Sequence, residues 1–142
     1  MYYLKTEHSF DSAHFLHGYN GKCSNIHGHR WRVVATIKST SLKTSKQENG
    51  MVLDFGTFKD FLKSIVDFHD HALLIETGSL SKKLHEALLA ENFHIIELPF
   101  RPTAENMAKY FFDKLSNHYL IDQVEVYETP NNCAIYRGNS NE

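Results

Sequence analysis

Four of the chain's ten histidines and one of its two cysteines fall within FDSAHFLHGYNGKCSNIHGHRW, Phe10 to Trp31. His27 and His29 are two residues apart, so in an extended chain both side chains leave the same face. The run HRWRVVATIK alternates, with Trp31, Val33, Ala35 and Ile37 on one face and Arg30, Arg32 and Lys38 on the other. Both histidines share the apolar parity. In the preceding segment His14 has the parity of Leu4 and Phe10. If the two segments pair antiparallel, three neutral imidazoles converge in a partly buried spot, a donor set suited to Zn2+. His17, in the intervening loop, competes with His14 for the third position, and parity favours His14. Against a metal stands the ordinary use of an isolated histidine on an apolar face, a hydrogen-bonded core residue. Cys23 admits two roles. As a fourth ligand beside three histidines it closes a structural zinc site, and beside an open metal position it is a nucleophile or base.

The elements that must carry these residues belong to an ordinary globular chain. With 142 residues, 42% hydrophobic and 23% charged, residues 1–142 are expected to form a single domain with its own core. A formal charge of −2 gives no footprint for nucleic acid or an anionic membrane surface. MYYLKTEHSF does not read as a secretion signal, no apolar run approaches a membrane span, and two distant cysteines lead to the expectation of a reducing cytoplasm. Cys133 reads as a small buried hydrophobe.

The polar run Ser39 to Gly50 reads as a long hairpin loop. After it, Phe58, Phe61, Leu62 and Ile65 recur at helical spacing behind a capping box of Thr57 and Asp60. A second helix begins at the N-cap Thr103 and carries Met107, Tyr110, Phe111 and Leu115. Between them lie a short helix in SLSKKLHEALLAEN and a short extended piece, FHIIEL. QVEVYETPNNCAIYRG reads as two strands around a Pro-Asn-Asn turn. The expected architecture is α+β: two antiparallel hairpins in a four-stranded sheet, with two main helices on one face.

FDSAHFL…GKCSNIHGHRW, followed in order by MVLDFGTFK, DHALL, PTAEN and VYETPNNCAIYRG, resembles the 6-pyruvoyl-tetrahydropterin synthase and 6-carboxytetrahydropterin synthase family over nearly the whole chain. The resemblance implies a tunnelling fold whose subunits close into barrels, commonly stacked as homohexamers with interfacial active sites. It implies His14, His27 and His29 as zinc ligands, Cys23 as the catalytic thiol, and Asp70 and His71 as the pair that works with it. Glu128 is implied as the carboxylate that holds the pterin ring. The residues themselves add that Glu128 lines up with Val124 and Val126, where a carboxylate needs a compensating partner such as a fork of N–H donors. HDHALL alone also fits two exposed histidines and an aspartate ending a helix. His69 departs from the family, whose members usually have an apolar residue there.

The substrate implied is 7,8-dihydroneopterin triphosphate. Family members either eliminate triphosphate, giving 6-pyruvoyl-tetrahydropterin, or also release acetaldehyde, giving the 6-carboxytetrahydropterin of queuosine biosynthesis. The short spacing from Cys23 to His27, CSNIH, resembles the second branch. Two rivals remain: the 6-pyruvoyl reaction, and a non-catalytic module in which Cys23 completes the zinc site.

Overall fold

The computed structural model describes residues 1–139. Two long strands, β1 (Tyr2–His14) and β2 (His27–Ser39), form an antiparallel pair in which His14 faces His27, Ser12 faces His29 and Phe10 faces Trp31. β5 (Ile121–Thr129) joins the other edge of β2, and β6 (Asn132–Arg137) pairs with β5. The strand alternation read from the sequence therefore holds. Phe10, Trp31, Val33, Ala35, Val124 and Val126 are buried on one face.

Two helices cover that face. α1 (Phe55–Val66) buries Phe58, Leu62 and Val66, one residue per turn. α3 (Ala104–Leu115) buries Met107, Ala108, Phe111, Phe112 and Leu115. Thr103 caps α3 as expected, its side chain accepting from the Asn106 N–H. The cap of α1 differs. It is Asp54, whose carboxylate accepts from the Thr57 N–H, so the helix starts earlier than a Thr57–Asp60 box requires. The polar run from Ser39 is likewise no hairpin loop, because the chain leaving β2 enters α1.

Among the described residues the sheet has six strands rather than four and is mixed rather than antiparallel. β3 (Ala72–Glu76) runs parallel to β1, and β4 (Ile95–Leu98) parallel to β3. The strand order is β4-β3-β1-β2-β5-β6. The five residues of β3 and four of β4 are too short to show alternation, and Leu74 and Ile75 are both buried. α2 (Lys82–Ala90), the expected short helix, makes the parallel crossover from β3 to β4 and buries none of its side chains. β3 meets β1 only at Ser12, Ala13 and His14, so the sheet is widened where the histidine cluster lies.

Candidate functional site

β1 and β2 bring His14, His27 and His29 together. One nitrogen from each ring lies within 4.8 Å of the other two, and ring centroids are 4.6 to 5.1 Å apart. The antiparallel register accounts for this, because an even residue of β1 faces an odd residue of β2 and both point to the helix-covered side. Trp31 floors the cluster, its ring 4.8 Å from His14 and 5.6 Å from His29, with its indole N–H donating to the Ser12 carbonyl at 3.2 Å.

Backbone carbonyls orient two of the rings. His14 Nδ1 donates to Pro102 O at 2.8 Å and His27 Nδ1 to Asn25 O at 2.6 Å. A carbonyl only accepts, so in the neutral rings the proton sits on Nδ1 and the Nε2 lone pair is free. That second-sphere arrangement is typical of metal-binding histidines. Among the described residues the buried Nε2 atoms of His14 and His29 have no well-formed hydrogen bond. An unpaired buried nitrogen is costly, and these two, converging with a nitrogen of His27, fit a divalent cation. Burial lowers the His29 pKa, more than the nearby Glu128 carboxylate raises it, which favours the neutral, ligand-competent ring.

Glu128 faces the opening of the trio. Its Oε1 is 3.1 Å from His14 Nε2 and 3.5 Å from His29 Nε2. Glu128 also borders a recess of about 180 Å3, lined by Leu16, Thr103, Glu105 and Cys133. In the sequence Thr103 and Glu105 stand out only as helix-start residues. Their position beside Glu128 follows from α3 starting against the end of β5, which local pattern does not reveal.

Cys23 lies in a short 3-10 turn, Lys22–Ser24, and is partly buried. Among the described residues it is not a member of the donor cluster formed by the three histidines. Cys133 is exposed rather than buried, because β6 is an outer strand and the residue stands near its start.

Asp70 and His71 are adjacent, with His71 Nε2 3.7 Å from Asp70 Oδ2. They form a second cluster with Asp11, not with the trio. Asp11 is an odd residue of β1, and pairs with Arg30 of β2 through contacts of 3.0 and 3.2 Å. By strand alternation this ion pair stands on the face opposite the histidines. His71 is well exposed and has φ 57°, a left-handed conformation that is uncommon for a non-glycine residue. Of the two histidines in HDHALL only His71 is exposed; His69 is 1% exposed.

The fold is thus a mixed sheet backed by helices, with a histidine trio that could hold a metal ion at the end of its longest hairpin. Residues 3–139 match the family described as 6-pyruvoyl tetrahydropterin synthase, and the chain belongs to that family of enzymes. A 6-carboxy-5,6,7,8-tetrahydropterin synthase of Haemophilus influenzae is 33% identical over 141 residues, covering 96% of this chain and 99% of the relative. One from Synechocystis is 35% identical over 126 residues, covering 82% and 98%. Among solved structures, a Caenorhabditis elegans 6-pyruvoyl tetrahydropterin synthase superimposes with TM-score 0.69 at 25% identity, covering 97% of this chain and 96% of that one. A Wolinella succinogenes protein shares the fold, with TM-score 0.78 at 20% identity and coverage of 97% and 98%.

Proposed function

We propose that the protein converts 7,8-dihydroneopterin triphosphate and water to 6-carboxy-5,6,7,8-tetrahydropterin, acetaldehyde and triphosphate, as a cytoplasmic zinc lyase of queuosine biosynthesis. The observation that carries this reading is the trio of inward-facing imidazoles with Glu128 at its opening and Cys23 outside the donor cluster. The names of the relatives from Haemophilus and Synechocystis support the choice of product.

His14, His27 and His29 would hold the zinc, which when bound supplies Lewis acidity toward the substrate's side-chain hydroxyls. Glu128 is suited to accept the N–H pair of the pterin ring, because its carboxylate reaches both the recess beside Thr103 and the edge of the trio. Held there, the ring presents its side chain toward the histidines. Cys23 would take up and return protons at the side-chain carbons, and His71, oriented by Asp70, would complete the transfers. Within one chain Asp70 and His71 belong to a donor cluster separate from the trio, although His71 and His29 line one open recess. By family likeness the protein would be a homo-oligomer, a hexamer, whose sites combine His14, His27 and His29 of one subunit with the Asp70–His71 pair of another.

Product analysis tests the reaction. Metal-replete protein given dihydroneopterin triphosphate is expected to release acetaldehyde and triphosphate in equal amounts. Triphosphate without acetaldehyde would select the 6-pyruvoyl reaction, the reading favoured by the family's description. No turnover, together with loss of zinc on Cys23→Ala substitution, would select a structural site closed by the cysteine and the three histidines.

A further inference from the structure

We propose that His69 is a positioning residue for the Asp70–His71 pair, anchoring it at the sheet edge through Tyr110, the α1 backbone and Ser12. The catalytic consequence rests on the function proposed above; the anchoring itself does not.

The chain makes an abrupt passage here. It leaves α1 on the covered side of the sheet, turns through Asp67–His69, and enters β3 alongside β1. His69 is the last residue inside. Its ring lies among Phe10, Phe111, Tyr110 and Phe68, with centroids 5.0 to 5.9 Å away. Nδ1 donates to Ile65 O at 3.1 Å, which fixes the tautomer and leaves Nε2 as an acceptor. The Tyr110 hydroxyl, 2.9 Å away, is then the donor to it. Both nitrogens are thus satisfied in an otherwise apolar pocket, and such a network sets ring orientation more tightly than packing alone.

The backbone carries that anchorage outward. The His69 carbonyl accepts from the Ser12 hydroxyl. One residue on, Asp70 Oδ1 accepts from the Asp11 N–H at 2.8 Å. The His71 N–H donates to Asp11 O at 2.6 Å and places His71 in its left-handed conformation. Burial holds the His69 pKa near 4, so the ring stays neutral and both bonds persist through the neutral range. A phenylalanine of similar size would fill the pocket, make neither ring hydrogen bond, and leave the Tyr110 hydroxyl without its acceptor.

The test compares His69→Phe, His69→Gln and Tyr110→Phe, the last removing one hydroxyl in case the first fails to fold. In His69→Phe, kcat for dihydroneopterin triphosphate is expected to fall about tenfold to a hundredfold, as for a displaced catalytic group. KM and bound zinc are expected to stay unchanged. His69→Gln, whose amide reaches toward the Tyr110 hydroxyl, is expected to recover most of that loss, and Tyr110→Phe to show a smaller version of it. Hydrogen exchange at the Asp70 and His71 amides, followed by mass spectrometry, is expected to speed up in His69→Phe and Tyr110→Phe. Unchanged exchange in both, or His69→Gln no better than His69→Phe in exchange and kcat, overturns the proposal. If the wild-type protein turns over no pterin, the functional reading fails, while amide exchange still decides the anchoring.

Discussion

The two halves of the candidate site are built on different principles. His14, His27 and His29 stand on long, continuously paired strands, where register fixes the direction of every side chain. Asp70 and His71 stand on a turn at the edge of β1, held by isolated hydrogen bonds and one left-handed residue. A ladder places donors rigidly, as a metal requires. A turn costs more backbone strain per residue and leaves its side chain free to meet something outside the chain, here an 81% exposed His71 side chain.

The largest test of that contrast is removal of a ladder ligand. His29→Ala is expected to abolish stoichiometric zinc, read by elemental analysis, and to lower turnover on the order of a thousandfold or more, since several kcal/mol of Lewis-acid stabilisation is lost. Cys23→Ala is expected to cost about 100- to 10,000-fold in kcat with zinc fully retained. Zinc loss would instead make the sulfur a ligand. His71→Asn is expected to lower kcat about a hundredfold, again without metal loss. Mixing it with Cys23→Ala subunits and reassembling them is expected to restore part of the activity. No recovery would place the Cys23 and His71 of each site in one subunit.

The smallest effect concerns the anchor under the turn. Burial lowers the His69 pKa from 6.5 to about 4. Between those values the unfolded chain binds a proton that the folded chain does not. The contribution is therefore full above pH 6.5 and lost as pH falls to about 4, for a total of roughly 3 kcal/mol. Urea unfolding at about pH 7 and about pH 4.5, on either side of most of that window, is expected to show a steeper fall for wild type than for His69→Phe.

The same contrast explains what could be read from the sequence. The trio was legible because parity is local: alternation in HRWRVVATIK and the position of His14 were enough once the hairpin was assumed. The two main helices were legible for the same reason, through the spacing of Phe58, Leu62, Met107 and Phe111. β3 and β4 were not, because their parallel pairing joins segments with no periodicity of their own, and their inclusion turned an antiparallel four-stranded expectation into a mixed six-stranded sheet. His69 looked exposed at a helix end because nothing local announces Tyr110, 41 residues later in the chain. The carbonyls of Asn25 and Pro102 leave no trace in sequence at all, since any residue offers one.

The chain has a single tryptophan, and it is the residue beneath the imidazoles. Trp31 is fully buried, so its ultraviolet emission is shielded from solvent quenchers and reports chiefly on the rings above it. The protein consequently carries its own optical gauge: titrating a cation or changing the charge of those rings alters one fluorophore, without label or engineered probe.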